Sequence, residues 1–224
     1  MGHDITLTAS DNFKLGGYRA DPAGKPGAAI VVIQEIFGVN HHIRAVCDRL
    51  AAQGYVAIAP SIFDRIEPNF QSGYTPEEVA IARKFVANPD WEAMLRDSQA
   101  AVDAVKDVGP VGIVGFCLGG SVAYAAATKL SGLSAAVGFY GGAIARFAGD
   151  KLKVPTQLHF GEKDTGIPLS DVETIRSKRP EVDIHVYPGA QHGFNCEERA
   201  SYDEPSAKIA RQRSREFFAK HLKR

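Results

Sequence analysis

The stretch Val111-Gly112-Ile113-Val114-Gly115-Phe116-Cys117-Leu118-Gly119-Gly120-Ser121 leaves little choice of local structure. A short β-branched run, fit for a buried strand, stops at Gly115. Cys117 follows, and Gly119-Gly120 heads an Ala-rich segment that reads as helix. This is the strand, tight turn and helix of a nucleophile elbow, G-x-C-x-G, with cysteine where serine is commoner. The apex residue of so sharp a turn sits in strained backbone, and side chains at the flanking glycine positions would clash with the adjacent strand and helix. The helix start just beyond supplies free N–H groups and a positive dipole end, which favour a thiolate and an oxyanion. The competing reading of Cys117 is a small buried hydrophobe.

The rest of the chain alternates strand and helix patterns around this element. Residues 5–7 and 13–19 read as an N-terminal hairpin at a sheet edge, turning at Ser10-Asp11-Asn12. Residues 29–33 and 55–59 read as strands buried on both faces, the mark of a parallel sheet covered by helices. Asn40 caps the helix between them, which stops near Gly54. After a longer loop at 61–73, Thr75-Pro76-Glu77-Glu78 is a capping-box helix start, and Asn88-Pro89-Asp90 opens another helix. Further strands are expected at 135–140, 156–160 and 182–187, a second capping box at Ser170 to Glu173, and an amphipathic helix at 205–222. Trp91 and Phe217-Phe218 read as core, and Cys47 as inert on an apolar helix face. The expected architecture is one α/β domain spanning 1–224, with a mainly parallel right-handed sheet.

Composition narrows the function. A chain of 224 residues, 45% hydrophobic, buries one sizeable core. With 26 basic and 26 acidic residues it has no electrostatic footprint for nucleic acid or an anionic membrane. No apolar run has bilayer length, and no basic stretch followed by an apolar core opens the chain, so a cytoplasmic protein is expected. Cys47, Cys117 and Cys196 are odd in number and far apart, which argues for reduced thiols rather than a disulfide framework or a structural zinc site. His41-His42 lacks acidic or Cys ligands at metal spacing. No metal and no cofactor are expected, and the chain is read as a monomer or small homo-oligomer.

In open α/β sheets the ligand site lies at the carboxyl ends of the strands, and the candidate polar residues all fall there. A thiol needs a base, and the base an orienting carboxylate. Asp164 follows one strand and His192 the last, in the order nucleophile, acid, histidine of the α/β-hydrolase arrangement. The backbone N–H groups of Leu118 and Ile36 are the positional candidates for an oxyanion hole. An amidotransferase-like enzyme would want a carboxylate two residues after the histidine, where Phe194 stands. A redox-sensing or non-enzymatic thiol protein that kept the elbow is the remaining rival.

Gln34-Glu35-Ile36-Phe37-Gly38, Gly115-Phe116-Cys117-Leu118-Gly119-Gly120, Phe139-Tyr140-Gly141, Gly161-Glu162-Lys163-Asp164 and Gly189-Ala190-Gln191-His192-Gly193-Phe194 together resemble the dienelactone hydrolase family, in order over nearly the whole chain. The resemblance implies an α/β-hydrolase fold with a Cys117-His192-Asp164 triad that opens lactones or small esters without a cofactor. It also makes Glu35 a second functional carboxylate, held in a salt bridge until substrate binds and then turning to the thiol. A carboxylate buried beside a thiol has a raised pKa and can exchange a proton with it. The chain departs from the family pattern where an arginine for the substrate carboxylate would follow the histidine: Cys196 occupies that position. Arg199 and Arg83 are the candidate anchors, each weighed against a solvated surface role, and Tyr140 is a candidate pocket wall.

Overall fold

The alternating apolar runs assemble into one eight-stranded sheet. A computed structural model describes residues 2–223. The strands are β1 (His3–Thr8), β2 (Lys14–Ala20), β3 (Ala29–Ile33), β4 (Val56–Pro60), β5 (Val111–Phe116), β6 (Leu133–Phe139), β7 (Thr156–Gly161) and β8 (Asp183–Tyr187). Their spatial order is β1-β2-β4-β3-β5-β6-β7-β8. β1 and β2 pair antiparallel, as do β2 and β4, and every later pairing is parallel. The N-terminal hairpin thus forms one edge, and Asn12 turns it with φ of 65°.

The helices are α1 (His41–Ala52), α2 (Pro76–Lys84), α3 (Trp91–Val105), α4 (Leu118–Lys129), α5 (Ile144–Phe147), α6 (Leu169–Lys178) and α7 (Glu204–His221). Side-chain alternation along the strands explains their placement. Ile30, Val32, Val114 and Phe116 face α1 and α7, meeting Ile43, Val46, Ala210 and Phe218. Val31, Ile33, Ile113 and Ala136 face α3 and α4, meeting Leu95, Ala101, Val122 and Ala126. β3, β4 and β5 are buried along their whole length, as parallel strands covered on both faces must be. Among the described residues no helix is long and apolar enough to cross a membrane.

Local chemistry sets most boundaries. The Asn40 side chain accepts from the Ile43 N–H to start α1, and Thr75 and Glu78 form the expected reciprocal capping box of α2. The box expected at Ser170 to Glu173 does not form. Pro168, extended at ψ of 150°, is the N-cap, so Ser170 already lies inside the first turn of α6. Strand β6 stops at Phe139, one residue before the expected end, because Tyr140 turns out of the sheet with φ of 38°. The one-turn helix α5 carries no sequence signal long enough to read.

The elbow depends on missing side chains. A Cβ on Gly115 would overlap the Gly119 carbonyl, and one on Gly119 would overlap the carbonyls of Ile33 and Gln34. The first turn of α4 is therefore pressed directly onto β5 and onto the end of β3. Gly115→Ala is expected to cost about 3 kcal/mol by overpacking, hence roughly 6–12 °C in Tm for a chain of this size. Gly24→Ala, where a Cβ meets nothing within 4 Å, serves as the control and leaves Tm unchanged. Thermal unfolding of both variants checks this, and equal melting temperatures would contradict it.

Candidate active site

Cys117 occupies the N-cap of α4 with φ of 55° and ψ of −117°. That left-handed backbone is costly for a residue with a Cβ. It is held by the Cys117 N–H donating to the Phe139 carbonyl at 3.0 Å and by the Gly120 N–H donating to the Cys117 carbonyl at 3.0 Å. The thiol is half-buried and accepts no capping hydrogen bond, so it stays available at the mouth of the helix.

Two loops meet over it. The loop after β7 and the loop after β8 are laced by backbone bonds: Glu162 N–H to the Tyr187 carbonyl at 2.9 Å, and Lys163 N–H to the Ala190 carbonyl at 2.8 Å. This lacing brings Asp164 against His192, with Nδ1 of the ring 2.7 Å from Oδ2 of the carboxylate. The other oxygen, Oδ1, accepts from the Gly166 N–H at 2.9 Å. The Ser201 hydroxyl donates to the His192 carbonyl at 2.6 Å, and the Tyr140 ring lies 5.1 Å from the imidazole.

Burial by itself would push the His192 pKa down. The neighbouring Cys117 sulfur and the Asp164 carboxylate, which is hydrogen-bonded to the ring, outweigh it and raise the pKa to about 10. The imidazole is thus tied to the carboxylate through Nδ1.

Glu35, in the turn after β3, is buried, and its Oε1 accepts from Arg199 Nη1 at 2.9 Å. Burial raises its pKa, against the pull of Arg199 and His192. Arg199 is not a solvated surface residue: its side chain is 20% exposed, and its guanidinium lies 5.7 Å from the Phe37 ring centroid. It also packs on Gly193, at φ of 79°, where any Cβ would collide with the guanidinium. Cys196 stands at position 196, and the arginine three residues later is the partner of Glu35. Arg83, by contrast, is exposed on α2, and no hydrogen bond or ion pair ties it to the cluster among the described residues.

Leu118 is the first residue of α4, so its N–H has no partner within the helix. The Ile36 N–H makes no hydrogen bond among the described residues. Because Gly119 is pressed onto the end of β3, these two free donors belong to adjoining turns. Tyr140 is fully buried with its hydroxyl unpartnered, and Phe194 packs edge-on against it at 5.5 Å. No carboxylate stands where an amidotransferase would want one.

His41 and His42 do not act together. His41 is exposed and pairs with Glu198 at 2.6 Å, whereas His42 is buried beside Glu35 and Cys196. Burial, reinforced by the positive charges of Arg49 and Arg211, holds the His42 imidazole neutral with a pKa of about 4. Burial pushes the Cys196 thiol up to about 11 and the Cys47 thiol higher still, as suits an inert core position. The Glu35–His42–Cys196 grouping escaped sequence reasoning. Its members come from two loops and the first turn of α1 and share no spacing rule.

A nucleophile elbow at the carboxyl edge of a mixed, mostly parallel sheet defines an α/β hydrolase. The sequence model of the dienelactone hydrolase family matches residues 15–222. A protein of Synechocystis sp. named "Putative carboxymethylenebutenolidase" is 38% identical over 98% of this chain and 97% of its own length. The crystal structure of a Klebsiella pneumoniae protein titled "Putative Dienelactone Hydrolase" superposes with a TM-score of 0.86 at 32% identity, covering 98% of this chain and 99% of that one. A dienelactone hydrolase-like promiscuous phosphotriesterase from metagenomic libraries shares the fold, with a TM-score of 0.78 at 20% identity over 99% of both chains. The chain belongs to the dienelactone hydrolase family, and so to the ester and lactone hydrolases.

The electrostatic reading of His192 has a direct check. As pH rises, the ring should stay an imidazolium through pH 8 and lose its proton with a midpoint of about 10. Cys117→Ala removes the largest of the raising influences, so its midpoint should fall. Ring nitrogen resonances followed by NMR report both. An unshifted midpoint in the variant would contradict the assignment.

Proposed function

We propose that the chain hydrolyses lactones and small activated esters through a Cys117-His192-Asp164 triad, with Glu35 as a second proton acceptor. The observation that carries this is the strained half-buried thiol at the head of α4, on the same carboxyl edge of the sheet as an imidazole held 2.7 Å from the Asp164 carboxylate. Cys117 attacks as the thiolate, with His192 or Glu35 taking its proton.

The substrate carbonyl rests against the N–H groups of Ile36 and Leu118. Cys117 attacks, and charge passes to the carbonyl oxygen, where the two donors and the α4 dipole stabilise it. Collapse expels the alcohol or enol oxygen, which takes the proton from His192 and leaves a thioester. A thiolate is itself a good leaving group, so activated enol esters and lactones suit this site better than unactivated esters or amides.

Acylation has an electrostatic consequence. The thioester sulfur carries no charge, so the largest of the influences raising His192 disappears. A neutral imidazole then takes a proton from water, and the resulting hydroxide attacks the thioester. Release of the acid restores the thiolate beside the imidazolium. Asp164 holds the ring in place through both halves.

Glu35 and Arg199 connect substrate charge to this cycle. A substrate carboxylate competes for the partly exposed Arg199 and frees Glu35 to take the proton of any Cys117 still in the thiol form. This supports small carboxylate-bearing lactones or esters as the preferred class.

Two variants test the scheme against a panel of lactones and short acyl esters, with and without a carboxylate. Cys117→Ala should lower kcat/KM by about 10³-fold or more on every substrate the wild type turns over; an unchanged rate defeats the triad. Arg199→Gln should raise KM about 10–100-fold for carboxylate-bearing substrates, as loss of a charge-assisted contact predicts. Equal losses on neutral and charged substrates would refute the anchoring role of Arg199.

A further inference from the structure

Glu35, His42 and Cys196 come from three separate places, the turn after β3, the first turn of α1 and the loop after β8. One ligand atom from each lies within 4.8 Å of the other two. All three residues are buried, Glu35 and His42 at 1% exposure and Cys196 at 0%. His42 Nε2 and Glu35 Oε2 have no hydrogen-bond partner. A buried polar atom left unpaired costs roughly 1–3 kcal/mol, and two of them belong to one small cluster. Carboxylate, neutral imidazole and thiol together make the donor set of borderline divalent cations.

We propose that Glu35, His42 and Cys196 form a binding site for a divalent cation of the zinc class, and that filling it withdraws Glu35 from the reaction. The inhibitory half rests on the hydrolase reading above; the binding half does not.

Zinc bonds of about 2.0–2.3 Å in a tetrahedron set ligand atoms about 3.3–3.8 Å apart. Closing the present spread to that distance takes side-chain adjustment of about an ångström, without moving a strand. On binding, the Cys196 thiol loses its proton to solvent and gives up its 3.4 Å hydrogen bond to the Tyr74 hydroxyl. The three protein donors leave one tetrahedral position for water. Carboxylate and thiolate together balance the charge of the cation. Oε2 is then held by the cation and Oε1 by Arg199, so neither oxygen remains free to take a proton from Cys117.

The rival metal site is the Cys117–His192 pair, and the rival occupant of the chamber is buried water, so the test must separate them. Protein freed of metal is titrated with Co2+ and followed by thiolate-to-cobalt charge-transfer absorption; Zn2+ stoichiometry is measured by dialysis. Wild type and Cys117→Ser should each bind one equivalent and show the band. Cys196→Ser should lose the band, and both Cys196→Ser and His42→Asn should bind about tenfold or more weakly. If His42→Asn does not fold, the nearly isosteric Cys196→Ser decides alone.

No stoichiometric binding by wild type at micromolar metal would overturn the site. So would a band lost in Cys117→Ser and kept in Cys196→Ser. Turnover, taken relative to each protein's own metal-free rate, should fall with Zn2+ in wild type and hold in Cys196→Ser. Tight Zn2+ binding without loss of turnover would overturn the inhibitory half and leave the site standing.

Discussion

The bare contact between the first turn of α4 and the ends of β3 and β5 is what the site depends on. Gly115 and Gly119 let backbone meet backbone there, with no room for a methyl group. Because α4 is pressed down in this way, Cys117 is forced into the left-handed region, and its sulfur stands at the carboxyl edge of the sheet. The same contact puts Leu118 beside the turn that carries Ile36 and Glu35. Strain at one residue is offset by packing spread along two strands and a helix.

Above that contact, charges alternate at close range. Asp164 pairs with His192, and Glu35 pairs with Arg199 beside it. Both pairs are partly removed from water, where Coulomb interactions weaken less with distance than they do in bulk solvent. Each group's proton affinity therefore answers to its neighbour's state. In the proposed cycle, acylation of the sulfur, or capture of Arg199 by a substrate anion, changes which group holds a proton. Glu35, with one oxygen paired and the other unpaired, is the point where catalysis and the His42–Cys196 grouping meet.

Much of this was legible in the sequence because it is local. The elbow is written in consecutive residues, and the Asn40 and Thr75 caps act over one helical turn. Asp164 and His192 were readable because each follows an apolar run, and parallel strands bring such ends to a common edge. The failed box at Ser170 shows the limit. A serine followed three residues on by glutamate is a fair signal, but the extended Pro168 had already begun the helix. The pairing of Arg199 with Glu35 was hidden for a different reason. The distance of Arg199 along the chain from His192 fits neither helix nor strand, and only the path of the 193–203 loop over Gly193 turns it inward.

The amino-acid order by itself determined the α/β class, the elbow at Cys117 and the order in which Asp164 and His192 follow it, since hydrophobic period, glycine placement and capping all act between near neighbours. Folding in three dimensions decided which cation holds Glu35, how strongly His192 keeps its proton, and that His42 and Cys196 share a buried space with Glu35. Those outcomes depend on burial and on distances between loops far apart in the chain, and a buried charge or an unpaired nitrogen exists only once the surrounding walls are in place.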